Sequence, residues 1–150
     1  IDFEIVYKNS LIRTRRKEFK LSAGEMAPIY NSRTFCLYED IDKIRSQGLA
    51  KGGSLENAIV VNENKILNED GLRYRDEFVS HKILDCLGDI MLLGHRIFGH
   101  IKTSQGGHQL TNIFLKEFMS NKENWEYETS NIEQKNIKAS KYSSPIAVNG

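Results

Sequence analysis

The sequence is poor in the residues that define several large classes of protein. It contains only two cysteines in 150 residues, Cys36 and Cys86, and neither belongs to a CxxC motif or a Cys/His cluster. A disulfide framework or a structural zinc knuckle is therefore not expected. No apolar run approaches the roughly 20 residues that span a bilayer, and no signal-peptide pattern opens the chain. We expect a protein without a transmembrane segment, in the reducing cytoplasm.

An excess of charge of one sign is also absent, since the formal net charge is +1. The content of 39% hydrophobic and 27% charged residues is ordinary for one folded domain spanning residues 1–150. Four basic residues do lie close together and could contact phosphate; they are Arg13, Arg15, Arg16 and Lys17. A solvated hairpin edge protected by charge is the more common explanation, because nucleic-acid-binding proteins usually show a broader basic excess and interleaved aromatic side chains. We expect no nucleic-acid partner.

The chain begins without methionine, directly on IDFEIVY, whose alternating apolar and polar residues predict a strand. Such a start is typical of a sequence entered partway through. We expect a fragment, a processed product or a deliberately expressed piece of a longer protein, whose remaining part could matter for function.

Helical and strand patterns follow one another irregularly along the chain. The predicted elements are strands near residues 1–7, 33–38, 57–61 and 95–105, and helices near 73–94 and 106–120. A short helix that ends at Gly48 gives a β-α-β insert at about residues 34–61. The fold class expected is α+β, a two-layer sandwich of a small mixed sheet and two main helices, with this insert.

The segment HKILDCLGD places His81, Asp85 and Asp89 at intervals of four, so that they form one polar stripe on the first long helix. An imidazole and a carboxylate at this spacing can bind the same cation, and zinc is the natural candidate if another protein ligand is supplied. A solvated stripe on a surface helix, or a buried His/Asp pair with a structural role, would give the same pattern. The neighbouring Lys82, and the confinement of all four histidines to residues 81–108, favour a site.

His108 follows a Gly-Gly pair at the predicted start of the second long helix. A histidine there, near free backbone N–H groups and the positive end of the helix dipole, could act as a general acid or an oxyanion stabiliser. Asp89 could be the acceptor that orients this histidine. His95 and His100 are interpreted as surface or packing residues, because no carboxylate accompanies them.

Three segments together carry a resemblance to a known family. They are SRTFCLYEDIDKIRSQGLAKGGSLENAIVV, NEDGLRYRDEFVSHKILDCLGDIMLLGH and GGHQLTNIFLKEF. Their HKxLDxxGD block, GGSxxNAIVV turn and later GH pair resemble the second half of UDP-3-O-acyl-N-acetylglucosamine deacetylases, the zinc enzymes of the committed step of lipid A synthesis in Gram-negative bacteria. The resemblance implies the second domain of a hydrolase acting on the acetamide of UDP-3-O-(3-hydroxyacyl)-N-acetylglucosamine. It also implies an active site between two α+β halves.

The resemblance implies a role for each member of the polar stripe. His81 and Asp85 are expected to be two of three protein ligands to a catalytic zinc ion. His108 is expected to act as the general acid or electrostatic partner, with Asp89 hydrogen-bonded behind it.

The resemblance further implies contacts with the substrate. Lys82 is expected to help position it, and the hydroxyl of Thr34 to help stabilise the oxyanion. The β-α-β insert is expected to form an apolar passage for the acyl chain. Its candidate lining residues are Phe35, Leu49, Ala50, Ser54 and Ala58.

In this family the third zinc ligand, a histidine, and the glutamate general base belong to the first half, which this sequence does not contain. Two ligands rarely hold zinc tightly. We therefore expect the chain to be inactive alone and to need the N-terminal domain as its partner. The competing hypothesis is a non-catalytic module that binds an acyl chain or a nucleotide sugar.

Overall fold

The computed structural model describes residues 1–21 and 26–128 of the chain. Its strands are β1 (Asp2–Ile5), β2 (Arg15–Glu18), β3 (Thr34–Leu37), β4 (Ala58–Asn62), β5 (Lys65–Ile66) and β6 (Lys102–Ser104). Its helices are α1 (Ala27–Tyr30), α2 (Ile41–Ser46), α3 (Glu77–Ile90) and α4 (His108–Ser120). The predicted α+β class is confirmed, with the strands divided between two small sheets.

The first sheet has the strand order β2-β1-β6 and is mixed, since β1 is antiparallel to β2 and parallel to β6. Alternation along β1 places Phe3 and Ile5 in the core beneath α3. On β2, Lys17 donates to Oγ of Ser80 on α3 at 2.9 Å. Arg16 faces the other way and pairs with Asp2. Arg13 and Arg15 donate to the carbonyl oxygens of Ser10 and Ile12, so all four residues of the basic run have partners within the chain.

The second sheet has the order β3-β4-β5. β3 and β4 are parallel and joined through α2, which confirms the β-α-β insert. The chain leaves α2 through Gly48, whose φ of +73° is a conformation that glycine adopts without strain. The buried side chain of Asn68 donates to the carbonyl oxygens of Leu55 and Ala58 at 2.6 and 2.8 Å and accepts from the Val60 N–H. Asn68 therefore ties the segment before β4 to the turn after β5.

The helix α3 lies at the centre of the fold, in contact with the first sheet, α1 and α4. Its fully or nearly buried apolar side chains are Phe78, Val79, Ile83, Cys86 and Ile90. The helix predicted near 73–94 ends earlier, at Ile90, and Met91 is 65% exposed in the following 3-10 turn. Within the described part of the chain, no helix has the length and hydropathy needed to cross a membrane.

Candidate metal and catalytic site

The side chains of His81, Asp85 and Asp89 lie at the border between the core face and the solvent face of α3. The spacing of four residues places them one turn apart, and each side chain is 15% exposed. They are therefore partly desolvated while still open to a bound ion or substrate. The stripe predicted from the sequence is present in the structure.

His81 and Asp85 form the first contact of this stripe. Nε2 of His81 lies 3.2 Å from Oδ1 of Asp85, and Nδ1 of His81 lies 3.4 Å from the carbonyl oxygen of Ser32. A carbonyl oxygen can only accept, so this contact is a hydrogen bond in the tautomer that carries its proton on Nδ1. The lone pair of Nε2 then faces a carboxylate oxygen, and two such acceptors attract each other only through a cation or a proton. Burial lowers the pKa of His81 although Asp85 opposes this, which favours the neutral imidazole that metals bind.

The separation of the two acceptors fits a tetrahedral metal site. Two ligands at about 2.05 Å from a tetrahedral zinc ion lie roughly 3.3 Å apart, close to the 3.2 Å between Nε2 of His81 and Oδ1 of Asp85. Residues 1–21 and 26–128 contain no group of three or more His, Cys, Asp or Glu side chains arranged to hold a metal. A metal bound to His81 and Asp85 therefore needs a ligand from outside this part of the chain.

The second oxygen of Asp85 contacts Lys82, whose Nζ lies 3.1 Å from Oδ2. The Lys82 side chain also borders a cleft of about 270 Å³. The other lining residues are Ile5, Val6, Tyr7, Gln105 and Gly106. The Lys82 side chain thus contacts the carboxylate and borders the cleft, where it can meet a negatively charged or polar ligand.

His108, the first residue of α4, meets the last member of the stripe. Its Nδ1 lies 2.8 and 3.0 Å from the two carboxylate oxygens of Asp89. A carboxylate accepts, so Nδ1 donates and the ring is held with Nε2 directed back along the stripe, 4.0 Å from Oδ1 of Asp85. The ring itself is 71% exposed. His81 and His108 therefore converge on one carboxylate from two different helices.

The turn before His108 is held by a close packing contact. Gly106 is buried, and a Cβ atom there would lie 2.7 Å from Oγ1 of Thr103 and 3.1 Å from Cζ of Phe3. The preceding Gln105 donates from its N–H to the carbonyl oxygen of Glu4 at 2.8 Å. The glycine lets the turn lie against the core, which sets where α4 begins.

Thr34 is the exposed first residue of β3. It lies two residues after the carbonyl of Ser32 that contacts His81, and the next side chain, Phe35, meets His81 edge-on with ring centroids 6.4 Å apart. The start of β3 is therefore next to the stripe. Sequence reasoning missed Ser32, and the two charged residues that hold this segment, Arg33 and Glu77.

The residues predicted to line the acyl passage differ in their burial. The Phe35 ring packs against Phe78 with centroids 4.9 Å apart, and Ala58 is half-buried on β4. Leu49, Ala50 and Ser54 are exposed in the loop between α2 and β4. The passage stays a prediction.

Comparison with known proteins gives a consistent result. A family model described as UDP-3-O-acyl N-acetylglycosamine deacetylase matches residues 1–120. A UDP-3-O-acyl-N-acetylglucosamine deacetylase of Hahella chejuensis is 44% identical over 132 residues, which cover 86% of this chain and 44% of the relative. Relatives of the same name from Cellvibrio japonicus and Campylobacter jejuni subsp. doylei are 42% and 43% identical, over 89% and 93% of this chain and 45% and 47% of their own lengths. The chain spans about half the length of the curated relatives it matches.

Proposed function

This chain belongs to the UDP-3-O-acyl N-acetylglycosamine deacetylase family, and we propose that it supplies half of the active site of a zinc-dependent deacetylase. The substrate proposed is UDP-3-O-(3-hydroxyacyl)-N-acetylglucosamine, whose acetamide is hydrolysed in lipid A biosynthesis. In this proposal the chain corresponds to the second domain of the enzyme, in the cytoplasm. A first domain, for which the additional length of the relatives leaves room, provides the third zinc ligand and the general base.

The observation that carries the proposal is the contact between Nε2 of His81 and Oδ1 of Asp85 at 3.2 Å. In the tautomer whose Nδ1 proton is donated to the Ser32 carbonyl, both atoms are acceptors facing one another. A cation between them removes the repulsion and uses both lone pairs. Their burial and separation suit zinc, which binds neutral imidazole and carboxylate in tetrahedral sites.

Zinc bound there would lower the pKa of a coordinated water toward neutrality and polarise the acetamide carbonyl. The residues of this chain then handle the proton and the developing charge. In this proposal Asp89 fixes His108 through Nδ1, and Nε2 donates toward the reacting group when the ring is protonated. A protonated ring can stabilise an oxyanion and afterwards deliver its proton to the leaving amine.

Two further side chains are assigned to the substrate. Lys82 contacts Asp85 and lines the cleft, where it can position a polar part of the substrate. The hydroxyl of Thr34, exposed beside the stripe, can donate to the oxyanion. Binding of the acyl chain along the insert would add binding energy remote from the bond that breaks, which helps to orient the reacting centre.

Zinc titration followed by calorimetry tests this proposal. It compares the chain alone with a fusion in which the first half of the Campylobacter jejuni deacetylase precedes Ile1. We expect weak binding by the chain, tight binding and turnover by the fusion, and loss of both in His81→Ala. His95→Ala is the matched control, because that exposed ring contacts Tyr127 away from the stripe. Zinc-independent affinity of the fusion for a hydroxamate inhibitor, retained in His81→Ala, would instead support a non-catalytic binding module.

A further inference from the structure

Arg33 and Glu77 form a buried ion pair, and neither residue has a role in the function proposed above. Arg33 is 5% exposed and Glu77 is completely buried at the first position of α3. The carboxylate of Glu77 accepts from the backbone N–H, Nε and Nη2 of Arg33 at 3.1, 2.9 and 3.2 Å, and from the Arg73 N–H at 2.7 Å. Because four donors converge on one carboxylate, the pair defines the relative position of the segments that carry them.

The other side of the guanidinium reaches a third segment. Nη1 of Arg33 donates to both oxygens of Asp70 at 3.1 and 2.9 Å, and Nη2 donates to the carbonyl oxygen of Gly71 at 2.7 Å. This segment follows the β-α-β insert and leads into α3. A planar guanidinium makes these contacts in fixed directions, which the single ammonium group of lysine cannot reproduce.

The residues on either side of Arg33 both belong to the proposed site. Ser32 presents its carbonyl oxygen to Nδ1 of His81, one helical turn beyond Glu77, and Thr34 begins β3. The Ser32 to Thr34 segment is therefore attached to α3 at two successive turns. Movement of this backbone would change the partner of the His81 ring and the position of the Thr34 hydroxyl together.

We infer that Arg33 and Glu77 are positioning residues, which hold the Ser32 carbonyl against Nδ1 of His81 so that Nε2 is presented to the metal. The inference rests on the proposed function, since it assigns the pair to the zinc site described above. Groups behind a metal ligand set its ring orientation and tautomer, and their loss typically weakens metal affinity or activity about 10- to 100-fold. The pair also fixes Thr34, and through Asp70 it connects the insert to the same helix.

The test uses Arg33→Lys and Asp70→Asn in the fusion protein, with Arg16→Lys as the matched control. Arg16 also pairs with an aspartate, but on the face of the first sheet away from α3. Circular dichroism and thermal unfolding establish that each variant is folded. The readouts are zinc affinity, kcat and KM, and the nitrogen chemical shifts of the His81 ring, which distinguish a proton on Nδ1 from one on Nε2.

In folded Arg33→Lys we expect zinc affinity to fall about 10-fold, kcat to fall more than KM rises, and the fraction of His81 with its proton on Nδ1 to decrease. Asp70→Asn should show the same changes at smaller size, and it decides the question if Arg33→Lys does not fold. Arg16→Lys should behave as wild type. A folded variant with unchanged zinc affinity, kcat and His81 shifts overturns the inference. If the unsubstituted fusion fails to bind zinc, the proposed function fails, and the His81 shifts alone then decide the positioning role.

Discussion

Gly106 allows the turn before His108 to lie against the core, and its replacement by alanine should destabilise the chain. The new Cβ would lie 2.7 Å from Oγ1 of Thr103 and 3.1 Å from Cζ of Phe3. The threonine hydroxyl can rotate away, but the Phe3 ring is only 2% exposed and belongs to the core cluster. Overpacking of this kind costs about 1–3 kcal/mol.

Gly88→Ala is a matched substitution that should have the opposite effect on stability. It lies within α3, and a Cβ atom there would have no neighbour within 4 Å. Glycine inside a helix is about 0.5–1 kcal/mol less favourable than alanine, so Gly88→Ala should stabilise the chain. At about 2–4 °C per kcal/mol for a chain of this size, Tm should fall roughly 2–12 °C in Gly106→Ala and rise roughly 1–4 °C in Gly88→Ala.

Thermal unfolding followed by circular dichroism, with urea unfolding as a second measure, checks both values. Adding Thr103→Ala to Gly106→Ala should recover part of the lost stability, because it removes the shorter of the two contacts. An unchanged or raised Tm for Gly106→Ala, with Gly88→Ala behaving as expected, would refute the argument that the turn is held by close packing.

Three other predictions concern single side chains. Asp89→Asn in the fusion protein should lower kcat about 10- to 100-fold with little change in zinc affinity, because it weakens the orientation of His108; equal kcat in a deacetylation assay would contradict this. Burial acts to raise the pKa of Glu77, but hydrogen bonds from its arginine partner and from backbone N–H groups lower it below the usual 4.5. The ionised Glu77 carboxylate therefore stabilises the folded chain at pH values above 4.5, and this stabilisation is lost as the pH falls through the lowered pKa. In urea unfolding, Glu77→Gln should lower the free energy of unfolding by about 3 kcal/mol near pH 7 and by less near pH 3. An equal loss at both pH values would contradict a lowered pKa of Glu77. Burial raises the pKa of the Cys86 thiol to about 11, so roughly one thiol in a thousand is ionised at pH 8. Alkylation of Cys86, followed by mass spectrometry, should be far slower in the folded chain than in urea. Similar rates would contradict the burial of this thiol.

The polar stripe could be predicted from the sequence because it depends only on helical periodicity. His81, Asp85 and Asp89 repeat every four residues, and a helix of 14 residues places them on one face wherever it packs. The residues alone left the pairing of His108 with Asp89 as one possibility, and the family resemblance made it an expectation. His108 and Asp89 are 19 positions apart in the sequence, and their contact depends on where the preceding turn places α4.

The ion pair of Arg33 and Glu77 could not be predicted in the same way. The two residues are 44 positions apart, and charged side chains are almost never fully buried unless they are paired. No feature of the surrounding sequence distinguishes Glu77 from the neighbouring acidic residue Asp76, whose side chain is 48% exposed. Only the assembled fold shows which of the two carboxylates the arginine reaches.

The strand predicted over residues 95–105 is shorter in the structure for a related reason. Alternation describes how a segment could pair, but pairing needs a partner of matching length. β1 offers only Asp2, Phe3 and Glu4 to β6, and its other edge is occupied by β2. Within the predicted range, only Lys102–Ser104 is therefore strand.

The candidate residues of the proposed site differ in their exposure to solvent. His81, Asp85 and Asp89 are each 15% exposed, whereas the ring of His108 is 71% exposed. If His108 is the general acid, as proposed, its exposure to water screens its charge and lets its proton exchange with solvent, so its effect on a transition state is weak. Covering the stripe with a second surface would desolvate His108 and bring a third ligand to His81 and Asp85 in one step. We therefore expect zinc affinity and the reactivity of His108 to rise together when the first half is present, and a fusion that gained only one of them would contradict a shared active site.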